Sequence, residues 1–511
     1  MRGSCATLEP VTNHGRSPHP EPPAVPGALA RPDRPAMTAD NLVAATGGTL
    51  VRRSDRTIRG GAVDSRLVTP GCLFAALVGE RTDGHRFLAE AVAAGAAALL
   101  IGRDPDPGKG EPPLDALGDA TIVRVADPLR ALGAVAAAWR TRFAPVVIGI
   151  TGSIAKTSTK EAVAGVLAGR FTTLRTEGNQ NNEVGLPLTV LRMGPEHGAA
   201  VLEMGMYAGG EIRDLAAIGR PSIGIVTSVQ PVHLSRIGSI EAIEDAKAEL
   251  LEALPSALDG GTAILNADDA RVRAMASRTA ARSIFYGFAQ DADIRAEDVA
   301  AAGFEGMRFR LVTPEGERHV SIPALGRLAV HNALAAAAAG LAAGMTLDEI
   351  VPGLGAASTA PHRSVVIRVG GVAIVDDAYN ASPGSMRAAL DLLAGLPGRR
   401  IAVLGEMREL GAEHATGHRE VGAAAAATVE LLVVVGGGPG GPAEEIANGA
   451  RDAGLPRERV LAVADPAAAV EAMRDQLAPG DVVLVKASRG VELEHVVDGL
   501  VATLRDPEDP A

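Results

Sequence analysis

A phosphate-binding loop is the strongest constraint in this sequence, and it lies in residues 146–160, VVIGITGSIAKTSTK. The β-branched run at its start is typical of a buried parallel strand, and a helix-forming pattern begins near Lys156. The small-residue loop between them would place backbone N–H groups at a helix N-terminus, where they can bind an anion. Lys156 would then bind the outer phosphates of a nucleotide, and the hydroxyl of Thr157 or Ser158 would bind Mg²⁺. The alternative is an ordinary strand-to-helix turn with a solvated lysine.

The position before this lysine is occupied by Ala155, where a phosphate loop normally has glycine. If the backbone there must be left-handed, the methyl group costs about 1–2 kcal/mol. We nevertheless expect the whole loop to contact the nucleotide. The residues predicted to do so are Gly152, Ser153, Ala155, Lys156, Thr157 and Ser158.

Composition excludes several classes of protein. The length of 511 residues predicts about three domains, and the 47% hydrophobic content is ample for their cores. A net charge of −12 with only 2% aromatic residues argues against nucleic-acid binding. Because Cys5 and Cys72 are the only cysteines, a disulfide framework is excluded, and a cytoplasmic location is expected. Cys72 is most simply a small buried apolar residue.

Two apolar stretches, residues 91–101 and 333–343, are too short to span a bilayer and are interpreted as alanine-rich buried helices. We therefore expect no membrane span. The first 36 residues are rich in Pro, Arg and His and contain no apolar segment of the secretory type, so they are predicted to be a disordered leader, and Met37 is a candidate start of translation.

Strand and helix patterns divide the rest of the chain into three α/β regions. Residues 37–127 suit a small α/β domain, and residues 128–143 suit a connecting helix that ends before Ala144-Pro145. Residues 128–358 form the predicted central domain, whose strands alternate with helices as in a doubly wound, mostly parallel sheet. Residues 359–511 repeat this alternation and form the third domain.

Polar side chains follow three predicted strands of the central domain. Because ligands bind beyond the carboxyl ends of such strands, these side chains are candidates for one site. They are Glu203, Thr227, Ser228, His233, Asn266, Asp268 and Asp269.

A lysine on the apolar face of a predicted helix is the second candidate for chemistry. In SIEAIEDAKAELLEALP, residues 239–255, Lys247 lies on the same stripe as Ile243 and Leu250. A buried ammonium is costly unless paired, and such a lysine shifts its pKa and becomes chemically available. The alternative is a side chain that extends outward along its neighbours to water.

The spacing of Gly436, Gly438 and Gly441 after a strand matches a dinucleotide fingerprint formally. Pro439 lies inside this loop, the helix begins late, and no acidic residue clearly ends the next strand. We interpret it as a glycine-rich turn and regard a nicotinamide-dependent oxidoreductase as remote.

Twelve motifs in one order resemble the Mur ligase family, from about Met37 to the C-terminus. The last three motifs below favour its dipeptide-adding branch. The motifs are DSR (64–66), GERTDGH (79–85), TGSIAKTSTK (151–160), EGNQNNEVGLPLT (177–189), LEMG (202–205), VQPVHL (229–234), AKAELLEALP (246–255), NADD (266–269), VHNALAA (330–336), DDAYNASPGSM (376–386), VLGEMRELG (403–411) and VKASRG (485–490).

The resemblance implies a three-domain architecture with a central doubly wound phosphate-loop domain, a small N-terminal α/β domain and a C-terminal Rossmann-like α/β domain. It implies an ATP-dependent, ADP-forming ligase of peptidoglycan precursor synthesis, which phosphorylates a substrate carboxylate that an amine then attacks. The substrates implied are UDP-N-acetylmuramoyl-tripeptide and D-alanyl-D-alanine, and the enzyme is expected to be a monomer.

The resemblance also implies roles for individual residues. Lys156, Lys247 and His233 would be catalytic, and Mg²⁺ would be held by Thr157, Glu203, His233 and a CO₂-derived carbamate on Lys247. Asn266, Asn332, Arg363 and Asp377 would contact the nucleotide. Ser65, Arg66 and His85 would bind the UDP part, Asn179, Asn181 and Asn182 the sugar–peptide groove, and Asn380, Ser488 and Arg489 the dipeptide.

Departures from the family pattern cluster at the predicted nucleotide site, at Ile154, Ala155, Gln230, Leu328 and Ala329, whereas the metal set is complete. We therefore expect a working enzyme. Two alternatives remain: a phosphate-loop kinase or regulatory NTPase, and a related amide ligase of the folylpolyglutamate or single-amino-acid muramyl type.

Overall fold

The computed structural model describes residues 35–80, 82–231, 237–357 and 360–505. Nearly all of the predicted leader, and the candidate ligand His233, lie outside these ranges. The described chain forms two compact units. The first contains the residues up to Ala144 together with residues 183–197, and the second contains the remainder.

The first unit is built on a five-stranded sheet in the order β1-β5-β4-β3-β2, parallel except for the antiparallel pair of β1 and β5. Directly after Met37 the unit begins with a helix and a strand, α1 and β1. The elements are α1 (Ala39–Thr46), β1 (Thr49–Arg52), β2 (Gly61–Ala62), β3 (Leu73–Ala75), α2 (Leu88–Ala93), β4 (Ala98–Ile101), β5 (Thr121–Arg124), α3 (Pro128–Arg140) and, from the later segment, α5 (Gly185–Leu191).

The apolar stretch 91–101 was wrongly predicted as one helix. Helix α2 ends at Ala93, a turn follows at Gly95 with φ of +107°, and residues 98–101 form β4. All four residues of β4 are buried between neighbouring strands, so an unbroken apolar run marks a central parallel strand here. Cys72 is buried in the core of this unit, as predicted.

The predicted connecting helix exists as α3 and packs within the first unit. It contacts α5, and the indole Nε1 of Trp139 donates a 3.0 Å hydrogen bond to the Met193 carbonyl. Residues 183–197 therefore join the first unit although they lie inside a segment predicted as central domain. The three predicted domain boundaries remain predictions.

A nine-stranded sheet forms the first half of the second unit, in the order β14-β13-β12-β11-β10-β9-β6-β8-β7. All pairs among strands β6 to β12 are parallel. Strands β13 and β14 extend the sheet beyond β12 as antiparallel strands. The strands are β6 (Val146–Thr151), β7 (Thr173–Arg175), β8 (Ala199–Glu203), β9 (Ile223–Val226), β10 (Thr262–Asn266), β11 (Arg282–Gly287), β12 (Ile294–Ala301), β13 (Met307–Thr313) and β14 (Gly316–Ile322).

The helices of this half are α4 (Lys156–Leu167), α6 (Glu211–Gly219), α7 (Ile240–Glu252), α8 (Ala270–Ala274), α9 (Arg327–Ala342) and α10 (Leu347–Ala356). The predicted buried helix at 333–343 is confirmed by α9, whose run from Ala335 to Ala339 is fully buried. Small side chains let α9 pack closely against α4, to which it is also joined by a 2.9 Å hydrogen bond from Thr159 Oγ1 to Asn332 Oδ1.

A six-stranded sheet in the order β15-β16-β20-β17-β18-β19 forms the second half of this unit. Only β15 is antiparallel. Its elements are β15 (Val365–Val369), β16 (Val372–Asp376), α11 (Pro383–Ala394), β17 (Arg399–Leu404), α12 (His414–Ala426), β18 (Leu431–Val435), α13 (Glu444–Asp452), β19 (Val460–Val463), α14 (Pro466–Arg474), β20 (Asp481–Lys486) and α15 (Glu494–Leu504). Within the described ranges, no helix is both long and apolar enough to cross a membrane.

Candidate active site

The predicted phosphate loop connects β6 to α4, which begins at Lys156 as expected. Gly152 has φ of +149°, and a Cβ atom there would lie 1.9 Å from Thr227 Oγ1, so only glycine fits. Ala155 has φ of +66° and ψ of +4° and is the N-cap of α4. The loop therefore keeps the left-handed turn usually supplied by glycine, with a methyl group in the strained position.

The end of β9 holds the loop in this shape. Ser153 donates its backbone N–H to the Ser228 carbonyl at 2.9 Å, and Ser228 Oγ accepts from the Ile154 N–H at 3.1 Å. Thr227 Oγ1 donates to the Ile154 carbonyl at 2.6 Å. Since these contacts involve atoms inside the loop, the anion-binding N–H groups at the start of α4 are fixed before any ligand binds.

Lys156, Thr157 and Glu203 lie together where β6 and β8 end. Lys156 Nζ donates to the Gly152 carbonyl at 2.7 Å, so its side chain curls over the loop. Burial lowers the pKa of Lys156, and the nearby Glu203 carboxylate opposes this effect. Thr157 Oγ1 donates to Glu203 Oε1 at 3.2 Å and accepts from an Arg363 guanidinium N–H at 3.1 Å. Arg363 thus forms a contact between the six-stranded half of the unit and the phosphate loop.

The Glu203 carboxylate has room for a cation. Its Oε1 atom also accepts a 2.7 Å hydrogen bond from the Asn181 amide, while Oε2 is buried and accepts none from the described residues. Lys160 Nζ lies 3.8 Å from Oε2, beyond hydrogen-bond distance, and is closer to Glu161 at 3.1 Å. A buried carboxylate oxygen left without a donor, beside a threonine hydroxyl, is a donor set that suits Mg²⁺.

Lys247 is buried on α7, with 2% of its surface exposed, as the apolar stripe predicted. Its Nζ atom has no carboxylate partner within 4 Å among the described residues. Burial, and secondarily the charge of Lys156, hold the pKa of Lys247 well below its ordinary value. Burial therefore makes the unprotonated amine, the form that reacts as a nucleophile, easier to reach here than in an exposed lysine.

Ion pairs lie on the outer surface of α7. Arg271 pairs with Glu244 at 2.7 Å and Arg278 pairs with Asp245 at 2.9 Å. On the other side, the Glu249 carboxylate accepts the Gly210 N–H at 2.6 Å, which ties α7 to the start of α6. Partly exposed ion pairs add little stability, so the burial of Ile243 and Leu250 on the same stripe is the main reason that Lys247 is directed inward.

Lysine is rare in this chain and almost confined to the interior. Arginine supplies nearly all of the 49 basic residues, and the five lysines are Lys109, Lys156, Lys160, Lys247 and Lys486. Lys109 is exposed, Lys156 is half-buried and the other three are buried. The surface cations are arginines, whereas four lysines lie at or near the candidate sites.

A cavity of about 500 Å³ opens beside the phosphate loop and suits a nucleoside. Two of the residues predicted to contact the nucleotide line it: Asn266, whose amide donates to the Thr227 carbonyl at 2.9 Å, and Asn332. His331 also lines the cavity, 3.3 Å from Asp268, with its ring edge-on to Phe288. We did not predict His331, although its place next to Asn332 near the start of α9 was a usable signal.

Four of the five unusual residues of the predicted nucleotide site also line this cavity: Ile154, Ala155, Gln230 and Leu328. Gln230 and Ile154 face α11 as well: a Cβ atom added at Gly384 would lie 2.1 Å from Gln230 Oε1 and 3.5 Å from Ile154 Cδ1. Two of the departures thus meet at one contact with the six-stranded half.

Residues predicted to bind the dipeptide lie around the carboxyl ends of β16 and β20. Asp377, which was predicted to contact the nucleotide, lies here too. Its Oδ2 atom accepts a hydrogen bond from Lys486 Nζ at 2.6 Å, and its Oδ1 atom accepts one from the Ser364 N–H at 3.2 Å. Asn380 is exposed, and Ser488 is buried and accepts the Arg408 N–H at 2.9 Å. Ser488 thus has a structural partner, whereas Arg489 and Asn380 present accessible side chains.

In the first unit, the residues predicted to bind the UDP part differ in accessibility. Ser65 is buried, and Arg66 is exposed and paired with Asp64 at 2.6 Å. His85 is 1% exposed; its Nδ1 atom lies 2.6 Å from Asp83, and its Nε2 atom accepts the Gly102 N–H at 3.1 Å. A ligand contact by the His85 ring would therefore displace one of these bonds, while the exposed Arg66 guanidinium, although paired with Asp64, is accessible to a ligand.

Of the three asparagines predicted for the sugar–peptide groove, Asn181 is placed at Glu203, Asn179 is exposed and Asn182 is half-buried. The glycine-rich turn at 436–441 is followed by a helix only at Glu444, in agreement with its interpretation as a turn.

Comparison with known proteins follows this geometry. Three family models match in order: "Mur ligase family, catalytic domain" at residues 57–140, "Mur ligase middle domain" at 150–340 and "Mur ligase, glutamate ligase domain" at 362–489. The UDP-N-acetylmuramoyl-tripeptide--D-alanyl-D-alanine ligase of Escherichia coli is 39% identical over 76% of this chain and 83% of its own.

Two solved structures are similar throughout. A crystal structure of MurF from Acinetobacter baumannii has a TM-score of 0.81 and 30% identity, covering 92% of this chain and 99% of that one. MurF ligase from Thermotoga maritima in complex with ADP has a TM-score of 0.76 and 28% identity, covering 87% and 98%. The predicted three-domain α/β architecture is confirmed by this similarity.

Proposed function

The chain belongs to the Mur ligase family, and we propose that it joins D-alanyl-D-alanine to UDP-N-acetylmuramoyl-tripeptide with hydrolysis of ATP to ADP and phosphate. The substrate class is supported by the shared identity with the E. coli ligase across most of both chains. A kinase or a regulatory NTPase with a phosphate loop alone is less supported, because the similarity extends through the six-stranded half.

The observation that carries the proposal is the position of Arg363. This residue comes from the segment that leads into the six-stranded half, yet its guanidinium donates to Thr157 at the start of α4. A cation from the second half therefore reaches the place where the phosphates of a nucleotide would lie. Transfer of a phosphoryl group is accelerated mainly by such positioning and charge neutralisation.

The chemistry can be assigned to these residues. The loop N–H groups and Lys156 would bind the β- and γ-phosphates and orient the γ-phosphoryl group toward the tripeptide carboxylate. The carboxylate oxygen attacks phosphorus as the bond to ADP breaks, and the dipeptide amine then attacks the acyl carbon, so that phosphate leaves. A Mg²⁺ ion held by Thr157 and Glu203, with His233 from the segment outside the described residues, would neutralise the phosphate oxygens.

Lys247 is the proposed site of a carbamate. Burial lowers the pKa of its amine and so favours the unprotonated form, which is the form that attacks CO₂; loss of a proton from the product then leaves a carbamate anion. The anion would compensate the charge of Lys156 and give the metal a further oxygen ligand.

The remaining residue roles are proposed on the same basis: Asn266 and Asn332 at adenine, Asp377 at the ribose, and Arg66 at the uridine diphosphate. Cytoplasmic action as a monomer is part of the proposal.

The test is ADP release measured over a matrix of muropeptides and amine acceptors. We expect turnover only when UDP-N-acetylmuramoyl-tripeptide and D-alanyl-D-alanine are both present. Turnover that ignores the dipeptide would favour the NTPase alternative. Turnover restored by a single amino acid or glutamate would favour a related ligase.

A further inference from the structure

The Tyr379 ring lies close to two arginines of the six-stranded half. Its ring centroid is 4.3 Å from the Arg363 Cζ atom and 5.7 Å from the Arg489 Cζ atom. Both distances are within the range in which a guanidinium is attracted to an aromatic face. No local pattern singles out this tyrosine, which lies inside the motif at 376–386.

The Arg363 side chain depends on restraints from its surroundings. His362 and Ser364 on either side both have left-handed backbones, with φ of +57° and +55°. Non-glycine residues adopt this conformation only when neighbouring contacts compensate the strain. Here His362 Nδ1 lies 2.7 Å from Asp376, and the Tyr379 N–H donates to the His362 carbonyl at 3.2 Å.

These restraints aim Arg363 at Thr157, but they act on its backbone. A guanidinium at the end of a long side chain keeps considerable rotamer freedom unless something packs against it. The Tyr379 ring is the aromatic surface that packs there. It therefore limits the positions from which Arg363 can donate to the Thr157 hydroxyl.

Arg489 is the other neighbour of the ring. Its side chain is 56% exposed and pairs with Glu494 at 2.8 Å. An exposed guanidinium held at one side by a carboxylate can still bind a second carboxylate with its remaining N–H groups. The incoming dipeptide carries such a group at its C-terminus.

The Tyr379 hydroxyl is not suited to proton transfer. Burial raises the pKa of this phenol, the charges of Arg363 and Arg489 and a hydrogen bond from Arg363 oppose this effect, and the Glu203 charge adds to it. The side chain is therefore neutral at physiological pH, and its ring face contacts both guanidinium groups.

We propose that Tyr379 is a positioning residue whose ring holds Arg363 at the start of α4, where the phosphates of a nucleotide would lie, and aligns Arg489 to bind the carboxylate of the incoming dipeptide. The proposal rests on the proposed function, because it takes D-alanyl-D-alanine as the acceptor. It couples the nucleotide end of the site to the acceptor end through one aromatic side chain.

The test compares Tyr379→Phe, which keeps the ring, with Tyr379→Leu, which removes it. We expect Tyr379→Leu to raise KM for ATP and KM for D-alanyl-D-alanine each by about 3- to 30-fold, because Arg363 and Arg489 each lose a cation–π contact. Tyr379→Phe should keep both KM values within about twofold. Thermal unfolding of each variant verifies that the fold is intact.

The acceptor arm uses D-alanyl-D-alanine amide, which lacks the carboxylate. Wild-type enzyme should prefer the free acid over the amide, and Tyr379→Leu and Arg489→Ala should each reduce this preference. The double variant should reduce it no further than Arg489→Ala alone. A folded Tyr379→Leu variant with wild-type KM values and acid preference overturns the proposal, as does a Tyr379→Phe variant as impaired as Tyr379→Leu. If wild-type enzyme itself forms no ADP with these substrates, the proposed function has failed instead.

Discussion

The amide Nδ2 of Asn181 donates a 2.7 Å hydrogen bond to Glu203 Oε1, the same oxygen that accepts from Thr157. Two donors thus fix one oxygen of the carboxylate, and the other oxygen remains without a donor among the described residues. Asn181 was predicted to line the sugar–peptide groove. Its observed position makes it a residue that orients a candidate metal ligand.

We expect Asn181→Ala to lower the affinity for Mg²⁺ about 10- to 100-fold, because the Glu203 carboxylate loses the partner that orients it. The measurement is the Mg²⁺ concentration that gives half-maximal ADP release. Asn179→Ala is the matched control, since this neighbour is exposed. Equal effects of the two substitutions would show that Asn181 acts elsewhere.

Ala155→Gly is expected to stabilise the protein by up to about 1 kcal/mol. The substitution removes a left-handed strain of about 1–2 kcal/mol and adds a smaller entropic cost in the unfolded chain. Denaturant or thermal unfolding measures the change, and KM for ATP should stay the same or fall. Ala168→Gly, at a right-handed exposed position after α4, should instead destabilise. A large rise in KM for Ala155→Gly would contradict our interpretation of the loop.

Lys247→Ala should lower ADP formation by at least about 100-fold, because a buried group beside the phosphate loop is lost. Small carboxylates such as formate or acetate should restore part of the rate by supplying the missing anion. Lys109→Ala, an exposed lysine, should be active. A Lys247→Ala variant with normal turnover, or one that no carboxylate rescues, would argue against the carbamate.

The first unit should lose stability in acid through Glu111. Its hydrogen bonds to Arg103 lower the pKa of this carboxyl from its usual 4.5 to about 2. A depressed pKa gives stability that is present above about pH 4.5 and is lost as the pH falls toward 2. The melting temperature of wild-type protein should therefore fall more steeply between pH 6 and 3 than that of Glu111→Gln. Asp115→Asn, at an exposed carboxyl, should follow wild-type.

Gly384→Ala should change KM for ATP by a few-fold. The added methyl would collide with Gln230 Oε1, and the displaced glutamine lines the nucleotide cavity. Because the collision involves only the end of a flexible side chain, Gln230→Ala should abolish the effect in the double variant. The double variant should therefore have the same KM for ATP as Gln230→Ala alone. A change in KM caused by Gly384→Ala that persists without Gln230 would place its cause elsewhere.

Four strands of the central sheet, β6, β8, β9 and β10, were predictable because each is a short apolar run bounded by polar turns, and the phosphate loop followed from β6. The inward position of Lys247 followed from helical periodicity, since the spacing from Ile243 to Leu250 determines which face is buried. Both are local patterns with a direct physical consequence.

Long-range relationships were less accessible. The apolar stretch 91–101 contains a helix end and a strand, and composition alone does not distinguish a buried strand from a buried helix. Nothing local to Asn181 indicates that its amide reaches Glu203, which is 22 positions away. The packing of Tyr379 on two arginines likewise depends on how three separate segments fold together.

Because few lysines lie on the surface, acylating reagents can report on individual lysines of this chain. A brief treatment of the native protein should modify Lys109 first, and peptide mass fingerprints would then resolve the other four amines one by one. Nucleotide should shield Lys156, and conversion of Lys247 to its carbamate should remove that amine from the reactive set, so occupancy of the catalytic centre can be followed without measuring turnover.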